Sequence, residues 1–257
     1  MNRRDNLLRF LRLGLLGFAL FNLLWFLLAL LLDSRALPLP HQVYAVLPKA
    51  LDAGLAGHFA ASLRRVLIGL GVSLLIALLV GIPLGYRPRL GRLLSPLIYF
   101  SYPIPKLALL PVVMLLLGLG ETAKIAVIVL ILAFPMLLSV RDAVRGVPHE
   151  DYALLISLRA TFYDKLRHII LPACLPAVLS SLRVSVGIAF SALFFTETFG
   201  TEKGLGLYIT DAWARLDYLQ MYFGIVTISF AGVIMFALID LTERRLCRWR
   251  NNSFQDF

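Results

Sequence analysis

The sequence predicts an all-α membrane protein with six transmembrane helices. Of its 257 residues 60% are hydrophobic, and the mean hydropathy is +0.83, whereas soluble domains seldom exceed about half apolar residues. The apolar residues form long runs, each close to the roughly twenty residues that cross a bilayer. The net charge of +10 could indicate a nucleic-acid partner. Membrane proteins, however, collect Lys and Arg in their cytoplasmic loops, so we expect lipid and no nucleic acid.

The first two predicted spans flank a segment that contains prolines. Residues 14–32 are apolar throughout and follow a start with four arginines. A signal peptide shares this pattern, but the apolar run is longer than usual and no small-residue cleavage site follows cleanly. We therefore expect an uncleaved first span. An external segment, 33–60, then leads to a second span over about 62–86, where the long side chains of Arg64 and Arg65 would reach water from the helix end.

Prolines mark the third predicted span, residues 97–119. Pro103, Pro105 and Pro111 lack an amide donor and leave backbone carbonyls unpaired, which is costly against lipid. We therefore expect a kinked helix that packs inside the bundle. A tight external turn then precedes the fourth span, which covers about 124–144.

Residues 147–176 are too polar for lipid and predict a hairpin of two short helices. Pro148 and the acidic residues after it favour a helix start, because Pro suits the first helical position and acids suit the positive end of the helix dipole. Thr161 and Asp164 form a capping box for the second helix, which we expect Leu171-Pro172 to end. A fifth span (179–199), an external segment (200–217) with a short helix at 207–214, and a sixth span (218–241) complete a single transmembrane domain, 1–257.

The basic residues orient this topology. Seventeen of the twenty-five Lys and Arg residues fall in segments that the six spans place on the side of the hairpin. We therefore expect a plasma-membrane protein whose hairpin and both termini face the cytoplasm. Cys174 and Cys247 fall on the same side and suggest neither a disulfide framework nor a metal site. The four histidines are scattered, so no metal is expected.

The hairpin resembles the cytoplasmic loop of ABC importer permeases. That loop reads EAA, three residues, Gly, nine residues and then I-x-L-P. Here residues 169–172 supply the I-x-L-P, while Ala153-Leu154-Leu155 stands at EAA and Arg159 at the Gly. The head of the motif is therefore degenerate. Residues 105–111 and 118–124 look like the third span and turn of permeases for nitrate, sulfonate, taurine and bicarbonate, and 200–206 resembles their last external loop.

This resemblance implies the architecture of a type I ABC importer permease in a bacterial inner membrane. Two permease copies would form the pathway, two separate ATPase subunits would bind ATP and Mg²⁺, and an external solute-binding protein would deliver the substrate. The solute implied is small and anionic, of the nitrate, sulfonate or taurine kind. The chain has no GxxxxGK[ST] sequence, so we expect it to bind no nucleotide or other cofactor and to be no enzyme itself.

Two groups of residues are candidates for function. The hairpin would dock on the ATPase, and Arg159 implies either a remodelled turn or a new partner there, because Gly permits a left-handed turn more easily than Arg does. The pathway candidates are Lys106, Glu197 and Ser191. The docking candidates are Tyr152, Ala153, Leu154, Leu155, Ile156, Arg159, Phe162, Lys165 and Pro172.

Each charged candidate has a structural alternative. A lysine within a span is costly, so Lys106 would either attract an anion or pair with a carboxylate or with carbonyls that the prolines free. Glu197 would be the partner of a basic group or a gate, or else a hydrated helix end. Ser191 would bind substrate or, as is commoner, support helix packing. Asp240 would be solvated or paired with Arg244.

Two other functions remain open from the sequence. A secondary transporter or channel driven by a gradient would also suit a span rich in prolines with a lysine. A membrane anchor for an ATPase that transports nothing would suit the hairpin. The hairpin argues against the first alternative, since a gradient-driven carrier needs no docking element there.

Overall fold

The structure, a computed structural model, describes residues 3–157 and 159–247, and every regular element in these ranges is helical. The side chains of 3–11, 13, 154 and 156 are not described, so Leu154 and Ile156 of the predicted docking set lie outside the described side chains. The helices are α1 (Arg3–Leu32), α2 (Pro40–Tyr44), α3 (Leu47–Asp52), α4 (Leu55–Tyr86), α5 (Pro88–Ser101), α6 (Leu110–Leu117), α7 (Glu121–Arg145), α8 (His149–Ser157), α9 (Phe162–Lys165), α10 (Leu171–Glu197), α11 (Leu205–Ala214) and α12 (Tyr218–Leu246).

Five stretches are long and apolar enough to cross a membrane as continuous helices. They are residues 14–32 of α1, then α4, α7, the continuous stretch 162–197, and α12. The sixth candidate is broken: α5 and the stretch 106–117 meet at an angle of 77°. The predicted all-α membrane fold is therefore confirmed, with the third span as a bent pair of helices.

The prolines break the third span more sharply than a kink. Pro103 and Pro105 lie between α5 and a 3₁₀ turn at Lys106–Leu109, where they remove the amide donors that a continuous helix needs. The prediction that this span packs inside the bundle is wrong within this chain, because Leu97 of α5 and Leu115 of α6 are exposed. The short α6 buries only one side, which includes Val113, against the start of α7.

The larger of two compact units comprises 57–157, 159–207 and 228–247 of the described chain. Its core lies between α4, α7 and α10, with buried side chains such as Leu132 and Leu193. Glycines on α4 allow close packing: a Cβ on Gly85 would lie 2.5 Å from Val144 Cβ and 2.7 Å from the Arg141 carbonyl oxygen. This tight packing fixes the end of α4 against the end of α7.

The smaller unit comprises 3–56 and 208–227 of the described chain. Trp25 stacks on Tyr222 with ring centroids 5.7 Å apart and meets Tyr44 edge-on at 6.3 Å. Much of the external segment predicted at 33–60 is helical, because Pro40 and Pro48 occupy first turns of helices, where no amide donor is required.

The second helix of the hairpin does not end at Leu171-Pro172, contrary to the prediction. A π-helical turn, Leu166–Ile170, connects α9 to α10 without a break, and Pro172 lies in the first turn of α10. A π turn holds an extra residue in the hydrogen-bonded ladder, which accommodates the missing amide of a proline. The hairpin is therefore continuous with the fifth span.

Candidate functional site

The turn between α8 and α9 keeps the backbone form that glycine favours. Arg159 has a φ of 55°, and the Ala160 amide donates to the Leu155 carbonyl at 2.9 Å. This bond spans five residues and follows a left-handed residue, which is how helices commonly end at a glycine. Of the two possibilities raised by Arg159, a remodelled turn is wrong. Arg159 holds the left-handed conformation at a cost of about 1 kcal/mol.

A reciprocal pair of hydrogen bonds starts α9, as the sequence predicts. The Asp164 amide donates to Thr161 Oγ1 at 3.3 Å, and the Thr161 amide donates to Asp164 Oδ2 at 2.8 Å. This capping box satisfies amide groups that a helix start otherwise leaves unpaired. It fixes the direction in which α9 leaves the turn.

An aromatic cluster anchors the hairpin to the end of α4. The Tyr86 ring lies 5.8 Å from that of Tyr152 and 5.3 Å from that of Phe162, centroid to centroid. Tyr152 is half-buried, its hydroxyl has no hydrogen-bond partner among the described residues, and burial raises its pKa. Tyr152 therefore packs within the chain, while Phe162, 54% exposed, also presents a surface to the outside.

The other predicted docking residues differ in how much they are exposed. Ala153 and Arg159 are exposed, while Leu155, Lys165 and Pro172 are partly buried. The exposed surface of the hairpin is thus centred on the turn at Arg159 and on Phe162. Its docking role stays a prediction.

A second candidate site is an ion-pair cluster where α10 ends, formed by Ser62, Arg65, Glu121, Lys124 and Glu197 and here called the Glu197 cluster. The Glu197 carboxylate is fully buried. It accepts hydrogen bonds from Arg65 Nη1 at 2.5 Å, from Ser62 Oγ at 2.7 Å and from the Gly206 amide at 2.7 Å. The predicted pairing with a basic group is confirmed, and the alternative of a hydrated helix end is wrong.

Arg65 joins two carboxylates from different helices. Besides Glu197 on α10, it binds Glu121 on α7, with Nε 2.9 Å from Oε2. The exposed neighbour Arg64 reaches the same Glu121 oxygen at 3.0 Å. The prediction that both arginines extend to water is therefore wrong for Arg65, because a buried guanidinium needs carboxylate partners and finds two of them here.

Glycines in the loop after α10 make room for the Glu197 carboxylate. A Cβ on Gly204 would lie 2.5 Å from Glu197 Cδ, and one on Gly206 would lie 2.7 Å from Glu197 Cβ. The amide of Leu205, which starts α11, donates to Ser62 Oγ at 2.8 Å. The spacing Gly-x-Gly at 204–206 thus lets α11 begin directly against α4 and α10.

Lys124 completes the cluster as a buried cation. It donates to the Gly200 carbonyl at 2.7 Å and to the Leu119 carbonyl at 3.2 Å, so it satisfies backbone acceptors at two chain turns. Sequence reasoning missed Ser62, Arg65, Glu121 and Lys124 as site residues. The three charged ones have a detectable feature, because charged residues near the ends of long apolar helices must either reach water or pair with each other.

The pathway candidates each have local partners. Lys106 donates to the Tyr102 carbonyl at 2.8 Å, and its Nζ lies 5.0 Å from the centroid of the Phe134 ring. The alternative in which the break at the prolines supplies carbonyl acceptors is thereby confirmed. Ser191 is exposed and donates to the Gly187 carbonyl one turn earlier, which is the bond of a serine within a helix. Their roles in a pathway stay predictions.

Asp240 has a different partner from the one predicted. It forms an ion pair with Arg183 of α10, which also donates to Glu243 at 2.7 Å. The structure thus gives Asp240 a partner on α10 that was not among the predicted ones, and its side chain stays 28% exposed.

Comparison with known proteins identifies the family. Residues 73–248 match the family described as the inner membrane component of binding-protein-dependent transport systems. The chain belongs to this family. It is 32% identical over 225 residues to the taurine transport system permease protein TauC of Escherichia coli (strain K12). This alignment covers 85% of this chain and 82% of the relative. It is 28% identical over 199 residues to the bicarbonate transport system permease protein CmpB of Synechococcus elongatus, covering 77% and 72%.

A solved structure agrees with the fold of this permease. The inward-facing MetNI methionine ABC transporter matches with a TM-score of 0.54 at 18% identity, over 79% of this chain and 96% of that one. The protein is therefore a permease subunit of an ABC transporter, a transport component that spans the inner membrane several times. Within the described residues no group of His, Cys, Asp and Glu could hold a metal ion.

Proposed function

We propose that this permease forms the pathway of an importer for a small anionic solute. The names of its relatives support this solute class, since the taurine and bicarbonate permeases carry substrates with a sulfonate or a carbonate group. Two identical copies would line the pathway, and an external binding protein would deliver the solute. Both termini and the hairpin would face the cytoplasm, in keeping with the positive-inside bias.

One observation carries the coupling part of this proposal: α9, the π turn and α10 form a single helical path from Phe162 to Glu197. At the other contact of the hairpin, Tyr152 and Phe162 pack on Tyr86, the last residue of α4. A displacement of the hairpin would therefore move two spans directly, because no flexible linker separates them.

The ATPase subunits would supply the energy for this displacement. ATP and Mg²⁺ would bind to them and not to the permease. The exposed turn around Arg159, together with Ala153 and Phe162, would enter a groove on each ATPase. Arg159 would then offer a guanidinium to a carboxylate in that groove, which would offset the cost of its left-handed backbone.

Lys106 is the residue that we propose for contact with the anion. It lies at the break in the third span, where backbone irregularity is tolerated only beside protein or a water-filled cavity. Its ammonium group holds carbonyl oxygens in the chain as described, and a passing anion would compete for it. Glu197 would hold the ends of the spans in register, and exposed Ser191 would line the path as a hydrogen-bond donor.

The test is reconstitution with purified partners. The permease is co-purified in mild detergent with candidate ATPase subunits, placed in nanodiscs, and assayed for ATP hydrolysis as binding proteins loaded with taurine, an alkanesulfonate, nitrate or bicarbonate are added. We expect stimulation by a loaded binding protein and not by an empty one. Gradient-driven uptake of the solute into proteoliposomes that contain the permease without any ATPase subunit would overturn the proposal.

The hairpin has its own test. Arg159→Glu should reduce the amount of ATPase that co-purifies, because it places a carboxylate where a guanidinium would meet one. Membrane insertion should be unchanged. The matched control is Arg35→Glu, the same charge reversal at an exposed residue of the 33–60 segment. If the complex purified equally well from both variants, Arg159 would have no docking role.

A further inference from the structure

Three arginines lie close together at the positive end of α5. Arg87 precedes the helix with an extended backbone, and Arg89 and Arg92 follow in its first two turns, where no acidic residue or side-chain cap is present. Within the described residues none of the three forms an ion pair, whereas Arg141 pairs with Asp142 at 2.7 Å. The start of a helix carries a positive partial charge, so these arginines repel it unless an anion is bound.

The same arginines line an open cavity. Its volume is about 660 Å³, and the rest of its wall consists of Tyr86, Pro88, Leu90 and Leu93. A fourth guanidinium, from Arg145 of α7, packs directly on Gly91 of α5, where any side chain would collide with it. Gly91 thus lets Arg145 add its charge to the same end of α5.

An apolar stripe continues from this cavity along α5. Leu93, Leu97 and Phe100 follow one another at helical spacing and are 74%, 65% and 77% exposed. Leu93 belongs to both the cavity wall and the stripe. A ligand that fits both features has an anionic head and a hydrocarbon chain.

We propose that this cavity binds the headgroup phosphate of an anionic phospholipid, with an acyl chain lying along Leu93, Leu97 and Phe100. Guanidinium groups match phosphate oxygens through paired hydrogen bonds. Basic clusters beside a transmembrane helix attract anionic lipids. α5 forms one half of the bent pair that is apolar and long enough for a span, and the proposal places its first turn at the depth of the headgroups. This site is independent of the solute that the permease carries.

The arginines alone could bind other anions, but the apolar stripe on α5 favours one that carries a hydrocarbon chain. Inorganic phosphate would pair with the arginines but is far smaller than the cavity, and it would leave the three apolar side chains without a role. An acidic surface of an ATPase subunit would likewise pair with the arginines only. A phospholipid uses the cavity and the stripe together.

Native mass spectrometry of the full-length permease in mild detergent tests the proposal. The protein is titrated with phosphatidylglycerol, phosphatidylcholine or inorganic phosphate. We expect phosphatidylglycerol to bind in preference to phosphatidylcholine. The double variant Arg89→Gln/Arg92→Gln should weaken it about fivefold for each arginine removed, the effect of one basic side chain at an anionic membrane surface. The control Arg35→Gln/Lys49→Gln removes the same charge from exposed residues elsewhere and should change nothing.

A further variant tests the contact with the acyl chain separately from the contact with the headgroup. Leu97→Ser/Phe100→Ser should weaken phosphatidylglycerol but leave binding of glycerol phosphate unchanged. Equal binding of both lipids, or equal loss in both charge variants, would overturn the proposal. So would displacement of phosphatidylglycerol by inorganic phosphate at equal concentration, which would identify a free anion as the ligand. Loss of ATPase subunits from the arginine variant with lipid binding intact would assign the arginines to a protein contact instead.

Discussion

Glu197 and Arg65 form a buried ion pair that joins α10 to α4, with Arg65 Nη1 2.5 Å from Glu197 Oε1. The two residues lie 132 positions apart in the sequence. The Glu197 carboxylate also accepts bonds from a serine hydroxyl and a loop amide, so it is held by donors from α4 and from the start of α11. A buried pair of this kind contributes little over an apolar one but is costly to break. It therefore fixes which helix ends meet.

Removing the Arg65 side chain should destabilise the permease strongly. Arg65→Ala leaves Glu197 buried without its cationic partner, at a cost of about 3–5 kcal/mol. Thermal unfolding of the purified protein in detergent would measure the loss. Arg64→Ala is the matched control: Arg64 pairs with the same Glu121 but is 61% exposed, against 2% for Arg65, and an exposed pair contributes only about 0–1 kcal/mol. Similar losses for the two variants would contradict the role of Arg65.

Close packing of α4 on α7 should depend on one glycine face. Gly85→Ala would bring a Cβ within 2.5 Å of Val144 Cβ, so the helices must separate, and overpacking of this kind costs about 1–3 kcal/mol. Gly71→Ala on the same helix meets nothing within 4 Å and should be neutral or stabilising, because alanine favours helix. Melting temperatures of both variants test this. A melting temperature unchanged by Gly85→Ala would show that the interface yields freely.

The sequence alone predicts those structural elements that depend only on residues close together in the chain. Apolar runs of bilayer length predict the spans, and Thr161 with Asp164 predicts the start of α9, because each depends on neighbours in the chain. Leu171-Pro172 predicts a helix end that the structure does not have. A proline normally ends a helix, and the composition of the segment does not reveal the π turn that accommodates it here. Arg65 was missed for another reason: whether a charge at a helix end reaches water or a carboxylate depends on residues 132 positions away.

Replacement of Lys106 should separate its two roles. Lys106→Met removes the donor that holds the Tyr102 carbonyl at 2.8 Å, and bonds from a charged group contribute about 1.5–3 kcal/mol, so the melting temperature should fall. If Lys106 also contacts the anion, uptake per folded complex should fall as well. Lys49→Met, at an exposed residue of α3, is the control. Stability and uptake that both match the wild type would leave Lys106 with neither role.

The left-handed backbone at Arg159 makes a prediction specific to the hairpin. Arg159→Gly should stabilise the turn by about 1 kcal/mol, because glycine adopts a φ of 55° without steric cost. Arg159→Ala removes the same guanidinium but retains a Cβ, so it should give no such gain. Hydrogen exchange of the Ala160 amide, which donates to the Leu155 carbonyl, reports directly on this turn. Exchange should slow in the glycine variant alone, while both variants should bind the ATPase less well if the guanidinium is what the groove recognises. Equal exchange in the two variants would mean that the turn bears no strain at Arg159, and the substitution of arginine for glycine would then need no compensation from a partner.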